Sequence, residues 1–148
     1  MEPSEPASAP RPCPACKGAT LEEVEDRGVA FLGCAACKGL FVANDGLAAY
    51  VADAVGAEAG RESYHALLAT ALEGRRSGSV RACPVCTAKL ERFGFGDAPF
   101  VILDRCPEHG LWLDRPELRK VVRASRARAA AQGLVAPELP GEDHQDEA

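Results

Sequence analysis

Seven cysteines and one histidine fall into two sets of four, and each set contains two ligand pairs whose members stand three positions apart. The first set is Cys13, Cys16, Cys34 and Cys37, and the second is Cys83, Cys86, Cys106 and His109. Seventeen residues separate the pairs of the first set and nineteen separate those of the second. Zinc sites use pairs separated by roughly 15–20 residues, because one tight turn aims two ligand atoms at one point. The sequence therefore predicts two zinc ions.

The sharing of ligands between the two ions follows from loop length. Closing a loop of about twenty residues costs less entropy than closing one of about seventy, so we expect each ion to be bound by consecutive pairs. His109 takes the place that Cys37 has in the first set, and a neutral imidazole is an ordinary zinc donor. His65 and His144 lack partner ligands, so we expect both to face solvent.

Other uses of Cys-Pro-x-Cys pairs are less well supported. A redox dithiol requires the pair at a helix N-terminus in a βαβ unit, whereas each pair of this type here precedes a strand pattern. Four cysteines also bind iron, but a set of three cysteines and one histidine favours zinc. Because four protein ligands leave no position for water, we expect structural zinc and no enzyme activity.

The elements that position the ligands form a tandem repeat with a period of about seventy residues. The tetrapeptide Gly-Leu-Phe-Val at 39–42 recurs as Gly-Leu-Trp-Leu at 110–113. Between the ligand pairs of each set, alternating residues around a turn predict a β-hairpin, with strands at 20–24 and 29–32 and at 89–93 and 100–103. A hairpin is marginal in water on its own, so we expect metal to close each one.

Helical patterns follow both copies. Apolar residues at helical spacing predict two short helices, from Leu47 to Val55 and from Tyr64 to Leu72, with a break at Gly56 and Gly60. They either cover the first ribbon or offer a surface for a homodimer or a protein partner. After the second copy, Asp114 and Glu117 have the spacing of a capping box, and Gly133 stops the helix that they begin.

The predicted fold is a small, zinc-stabilised α+β protein with two zinc ribbons, each followed by helix, and disordered termini. The segments are a disordered tail at 1–12, ribbon 1 at 13–46, a helical segment at 47–74, a linker at 75–82, ribbon 2 at 83–114, a basic helix at 115–132 and an acidic disordered tail at 133–148. Few aromatic residues are present, and they fall mostly in two stretches, so we expect separate small cores.

Charge and hydropathy limit the location and the partners. No signal peptide or membrane-spanning segment is predicted, and clustered cysteines bind metal most readily in a reducing compartment, so we expect a cytoplasmic protein. The formal net charge is −5, and a globally anionic chain is not drawn to phosphate by its net field. Nucleic-acid binding therefore requires a local basic face.

The second copy resembles the transcription-factor zinc-finger family of TFIIB-type zinc ribbons. The resemblance rests on Cys-Pro-Val-Cys at 83–86, Cys-Pro-Glu-His-Gly-Leu-Trp-Leu-Asp at 106–114 and the Glu-Leu pair at 117–118. The first copy is less similar, because Phe41-Val42-Ala43 replaces Trp-Leu-Asp. The resemblance implies zinc ligation at the matching positions and a ribbon fold, with Trp112 packed beside the zinc knuckle, where it fixes the ribbon to its helix.

Two functions remain open. The first is a transcription-factor-like, nucleic-acid-associated regulatory protein, with contacts from the basic residues of the last helix: Arg119, Lys120, Arg123, Arg126 and Arg128. The second is a protein-interaction adaptor in which zinc is purely structural and the middle helices or the basic helix hold a partner. Since cations are also common near helix C-termini for local reasons, these residues alone do not decide between the two.

Overall fold

The computed structural model describes residues 11–97 and 100–136. The strands are β1 (Arg11–Pro12), β2 (Thr20–Asp26), β3 (Val29–Gly33), β4 (Leu40–Ala43), β5 (Arg76–Ala82), β6 (Lys89–Phe95), β7 (Val101–Cys106) and β8 (Gly110–Leu113). The helices are α1 (Asn44–Val55), α2 (Ala57–Glu73) and α3 (Glu117–Ala131). The predicted α+β fold with two hairpins is confirmed.

These eight strands of the described residues form one antiparallel sheet in the order β1-β2-β3-β4-β8-β7-β6-β5. Each copy of the repeat contributes four consecutive strands, so the order read outward from the centre is the same in both halves. At the centre β4 pairs with β8, with Phe41 opposite Trp112 and Leu40 opposite Leu113. Equivalent strands of the two copies therefore meet across an approximate two-fold axis.

The first hairpin turns at two residues with positive φ, Arg27 at 53° and Gly28 at 76°. Two consecutive positive φ angles are typical of a two-residue turn whose twist matches that of the flanking strands. The strands on either side are longer than predicted, reaching Asp26 and Gly33.

The segment at 75–82 differs from the predicted linker. It contains β5, which pairs with β6 at one end of the sheet and has an irregular register between Gly78 and Ala82. Its residues are mostly Gly, Ser and Arg, which lack the alternation of apolar and polar residues that predicts a strand. The strand pairs through backbone hydrogen bonds, and these do not depend on side-chain type. The segment is therefore the edge strand of the second copy and not a linker between separate ribbons.

A hydrophobic core that both copies share lies between the sheet and the helices, which differs from the separate small core for each copy that we expected. Residues of both copies pack together in it: Phe31, Val42, Phe93, Leu103 and Leu111 from strands, and Leu47, Val51, Tyr64, Leu67 and Val121 from helices. The few aromatic residues suffice because both halves share this one core.

The middle helices cover this face of the sheet. Leu47, Val51, Tyr64 and Leu67 are buried in the shared core, and Val55, Leu68 and Leu72 are partly buried against it. Most of this apolar surface is therefore covered within the chain, as expected if the helices cover the ribbon. Only Gly56, with φ at 148°, separates the two helices. Gly60 lies inside α2, where a Cβ atom would approach the Val51 carbonyl oxygen at 2.7 Å, so this glycine permits close packing of α1 on α2.

The end of the last helix agrees with the prediction, whereas the chain termini are described only in part. Helix α3 is followed by Gly133 with φ at 74°, as predicted, and His65 is exposed. His144 and most of both predicted disordered tails lie outside the described residues, whereas Arg11–Pro12 forms β1. Among the described helices, none is long and apolar enough to cross a membrane.

Candidate metal centres

The structure brings together the two ligand sets that the sequence grouped. In each set the four ligand atoms lie within 4.8 Å of one another. Consecutive pairs share a site, since Cys13, Cys16, Cys34 and Cys37 form one group and Cys83, Cys86, Cys106 and His109 form the other. Each group lies where the two knuckles of one ribbon converge.

The distances between ligand atoms fit a tetrahedral zinc shell. Zinc–sulfur bonds of about 2.3 Å and zinc–nitrogen bonds of about 2.0–2.1 Å separate two sulfurs by about 3.8 Å and a sulfur from a nitrogen by about 3.6 Å. The Sγ atoms of Cys13 and Cys37 are 3.8 Å apart, and those of Cys86 and Cys106 are 3.7 Å apart. The geometry therefore supports two zinc sites.

His109 presents Nδ1 to the second site. This atom lies 3.5 Å from the Sγ of Cys106 and 3.9 Å from the Sγ of Cys83, which brackets the tetrahedral value. The backbone N–H of His109 also donates to the carbonyl oxygen of Cys106 at 3.1 Å, so a tight turn joins the two ligands.

Backbone N–H groups prepare the sulfurs for a cation. The Sγ of Cys13 accepts hydrogen bonds from the N–H groups of Ala15 at 3.3 Å and Cys16 at 3.2 Å. In the same site, the N–H of Cys37 lowers the pKa of the Cys34 thiol to about 7, whereas burial raises the pKa of Cys13 to about 12. The thiolate of Cys34 is thus the more readily formed, and bound zinc favours deprotonation of the rest.

A second apolar cluster joins the two metal sites on the sheet face away from the helices. It contains the two buried cysteines of each site, one from each knuckle, together with four other side chains: Cys13, Cys34, Cys83, Cys106, Leu21, Phe41, Leu90 and Trp112. Phe41 and Trp112 stand side by side at its centre. The shells of the two metals therefore share packing partners.

Trp112 packs beside the zinc ligands Cys83 and Cys106, as the family resemblance implied, but its other partner is the first ribbon and not its own helix. Its side chain is fully buried, and a Cβ atom at Gly39 would overlap the indole ring. The ring thus packs on the first copy and lies on the face opposite the helices, so it fixes ribbon to ribbon rather than ribbon to helix. Because the indole ring is buried, it is also not available to stack on a nucleic-acid base.

A buried carboxylate beside this cluster was not predicted from the sequence. Asp104 is 2% exposed and accepts from Arg92 at 2.9 and 3.1 Å and from Arg81 at 3.4 Å. Arg81 also donates to Asp114 at 2.7 Å, and Asp114 accepts from the indole N–H of Trp112 at 3.0 Å. The sequence signal for this buried acid was its position directly after the apolar residues Val-Ile-Leu at 101–103 of the same strand.

The basic residues of α3 divide between two flanks of the helix. Arg119 and Arg126 line one cleft, whereas Lys120, Arg123 and Arg128 line a cavity on the other side. The buried face between the flanks holds Val121, Ser125 and Ala129. The structure therefore brings the five cations onto one helix without forming a single stripe.

Comparison with known families supports the first ribbon. The model of the family described as "Transcription factor zinc-finger", a TFIIB-type zinc ribbon, matches residues 12–53, which include the first ligand set. The match falls on the copy that the sequence suggested was the less similar, so the closer resemblance of the second copy stays a prediction. The comparisons with curated proteins and with solved structures gave no match.

Proposed function

We propose that this chain is a zinc-ribbon protein that associates with nucleic acid through α3, with both zinc ions in structural roles and no catalytic activity. The observation that carries the proposal is the charge of α3, which contains five cations and a single acid, Glu117, in its first turn. The chain as a whole has a net charge of −5, so this helix is a local exception.

The position of α3 suits phosphate contacts. The helix is anchored through Val121 and Ala129, and its cations flank that anchored side. Lys120 is exposed, while Arg119 and Arg123 are partly exposed, so both flanks present charge to solvent. Contacts of Lys and Arg with phosphate release counterions, and this term dominates binding that is not specific for sequence.

The metal centres support the scaffold rather than chemistry. Each set supplies four protein ligands, which is the full complement of a tetrahedral ion. A catalytic zinc keeps one position for water, so the ligand count favours a structural role. The match of the first ribbon to the transcription-factor zinc-finger family agrees with nucleic-acid association but does not by itself establish it.

The experiment measures the affinity for labelled duplex and single-stranded oligonucleotides by fluorescence anisotropy at two salt concentrations. The unaltered chain should bind more weakly at the higher salt, and Lys120→Ala with Arg123→Ala should reduce the salt slope by about 1.4–1.8 for two lost phosphate contacts. The matched control is Arg61→Ala with Arg75→Ala, since both residues are exposed and lie outside α3. Binding that does not depend on salt would place the contact elsewhere.

A protein-interaction adaptor is the second candidate, and the edge of the sheet favours it. Strand β5 ends the sheet, so its outer backbone groups have no strand partner among the described residues. Val80 in that strand is 93% exposed, and an extended peptide can add to such an edge by backbone pairing. If no oligonucleotide binds at low salt, a photo-crosslinker at position 77 of this strand should capture a partner, and Val80→Asp in the same chain should prevent the capture.

A further inference from the structure

A cleft of about 410 Å³ lies between α1 and α3 above the junction of β4 and β8. The apolar side chains of its lining include Leu40 and Leu113, the residues that oppose each other across the junction. Its lining carries five cationic side chains: Arg27, Lys38, Arg115, Arg119 and Arg126. The lining of the cleft therefore combines apolar and basic side chains.

The lining of the cleft contains two acidic residues against five cationic ones. Asp114 and Glu117 are the two acidic residues of the lining, and Asp114 is already paired with Arg81 at 2.7 Å. Burial raises the pKa of Glu117 to about 7, so near neutral pH much of this residue is uncharged. Of the cations, Arg27 pairs with Asp53 at 3.1 Å, while Lys38 and Arg115 are exposed at the rim.

The chain leads directly to this cleft after α3. Val135 lies beside Gly56, which follows α1, and Arg126 donates to the carbonyl oxygen of Ala54 at 3.0 Å. Ala54 and Arg126 both line the cleft, so the described chain ends at residue 136 close to the mouth. The twelve residues at 137–148 span up to about 40 Å when extended, which is ample for entry.

Those twelve residues complement the cleft in charge and hydropathy. They contain five acids and no Lys or Arg: Glu138, Glu142, Asp143, Asp146 and Glu147. Leu139 stands next to the first acid and suits the apolar side chains of the lining. We propose that residues 137–148 dock intramolecularly in the basic cleft between α1 and α3, with their carboxylates on its rim.

Tethering makes even weak docking effective. A segment joined to its site by a short stretch of chain has an effective concentration on the order of 1 mM, so an affinity near 1 mM keeps it docked about half of the time. Because the cleft includes Arg119 and Arg126, docking competes with phosphate at one flank of α3. This regulatory consequence rests on the proposed function, whereas the docking itself does not.

The test compares amide NMR spectra of the full chain with those of a variant in which all five acids are neutralised: Glu138→Gln, Glu142→Gln, Asp143→Asn, Asp146→Asn and Glu147→Gln. We expect shifts at Lys38, Arg115 and Arg119, none at Lys120 and Arg123 on the other flank, and the same shifts when salt is raised for the unaltered chain. Unchanged cleft amides would overturn the proposal. Shifts that depend on protein concentration would also overturn it, since they would indicate docking between chains.

A second pair of variants locates the contact. Arg115→Gln with Arg119→Gln should abolish the effect of neutralising the acids, whereas Lys120→Gln with Arg123→Gln should preserve it. With oligonucleotide present, neutralisation of the acids should tighten binding about two-fold or more, and the gain should be smaller when Arg115→Gln and Arg119→Gln have removed the docking site, because the change in net charge alone is the same in both backgrounds. Cleft shifts without oligonucleotide binding would refute the proposed function alone, and binding without cleft shifts would refute the docking alone.

Discussion

Phe41 of β4 and Trp112 of β8 lie directly opposite each other at the junction of the two copies, and they occupy equivalent positions of the repeat. Both side chains belong to the cluster that contains cysteines of both metal sites. The repeat therefore forms one metal-stabilised unit through pairing of its equivalent strands.

Gly39→Ala should destabilise the protein by about 1–3 kcal/mol, the usual range for overpacking, because the added methyl group would overlap the buried Trp112 ring. The matched control is Gly78→Ala, where the methyl group would meet only the Lys89 side chain at 3.7 Å. We expect the control to be neutral or slightly stabilising. Urea unfolding of both variants is the measurement, and equal midpoints would contradict the packing of Trp112 on the first copy.

Asp104→Ala should lower the free energy of unfolding by roughly 2–3 kcal/mol, because it leaves two arginines without a buried carboxylate. Arg92 is partly solvated, which holds the loss below that of a fully buried pair. Leu32 occupies the equivalent position in the first copy, since it is opposite Phe41 as Asp104 is opposite Trp112. Asp104→Leu should therefore lower the free energy of unfolding by less than Asp104→Ala. A greater loss for the Leu variant than for Ala would contradict this account.

Glu117→Gln should stabilise the protein more at pH 8 than at pH 5.5. The folded-state pKa of Glu117 is raised to about 7 from 4.5, chiefly by burial, so protonation favours folding. That contribution is complete below pH 4.5 and is lost as pH rises toward 7. The amide of Gln can still accept from the N–H of Asp114, as Glu117 does at 2.9 Å. Melting temperatures at both pH values test this, and an equal increment at each would contradict it.

The chain should contain two zinc ions and no iron when purified without added metal, because its ligands form two complete tetrahedral sets. His109→Cys should retain both ions, since a thiolate can take the place of Nδ1 as it does at Cys37. His109→Ala should bind zinc more weakly at the second site. Elemental analysis gives the stoichiometry, and a single ion or iron in the unaltered chain would refute the assignment.

The sequence predicted the features that are local in the chain. Ligand spacing located both metal sites, and the alternation around Arg27 and Gly28 located the first hairpin. The pairing of β4 with β8 was not predictable, because Leu40 and Leu113 meet through tertiary packing that leaves no local pattern. Strand β5 was missed for a related reason, since its place in the sheet depends on backbone bonds to β6 rather than on apolar side chains.

The most direct test of the shared unit is hydrogen exchange, followed by NMR, on the Cys13→Ser variant. This substitution removes one ligand of the first site and leaves the second set intact. Because β4 pairs with β8 and both metal sites contact the Phe41 and Trp112 cluster, we predict that amides at 110–113 lose protection together with those at 40–43. Unchanged protection at 110–113 alongside loss at 40–43 would show that the ribbons fold independently, and would contradict the account.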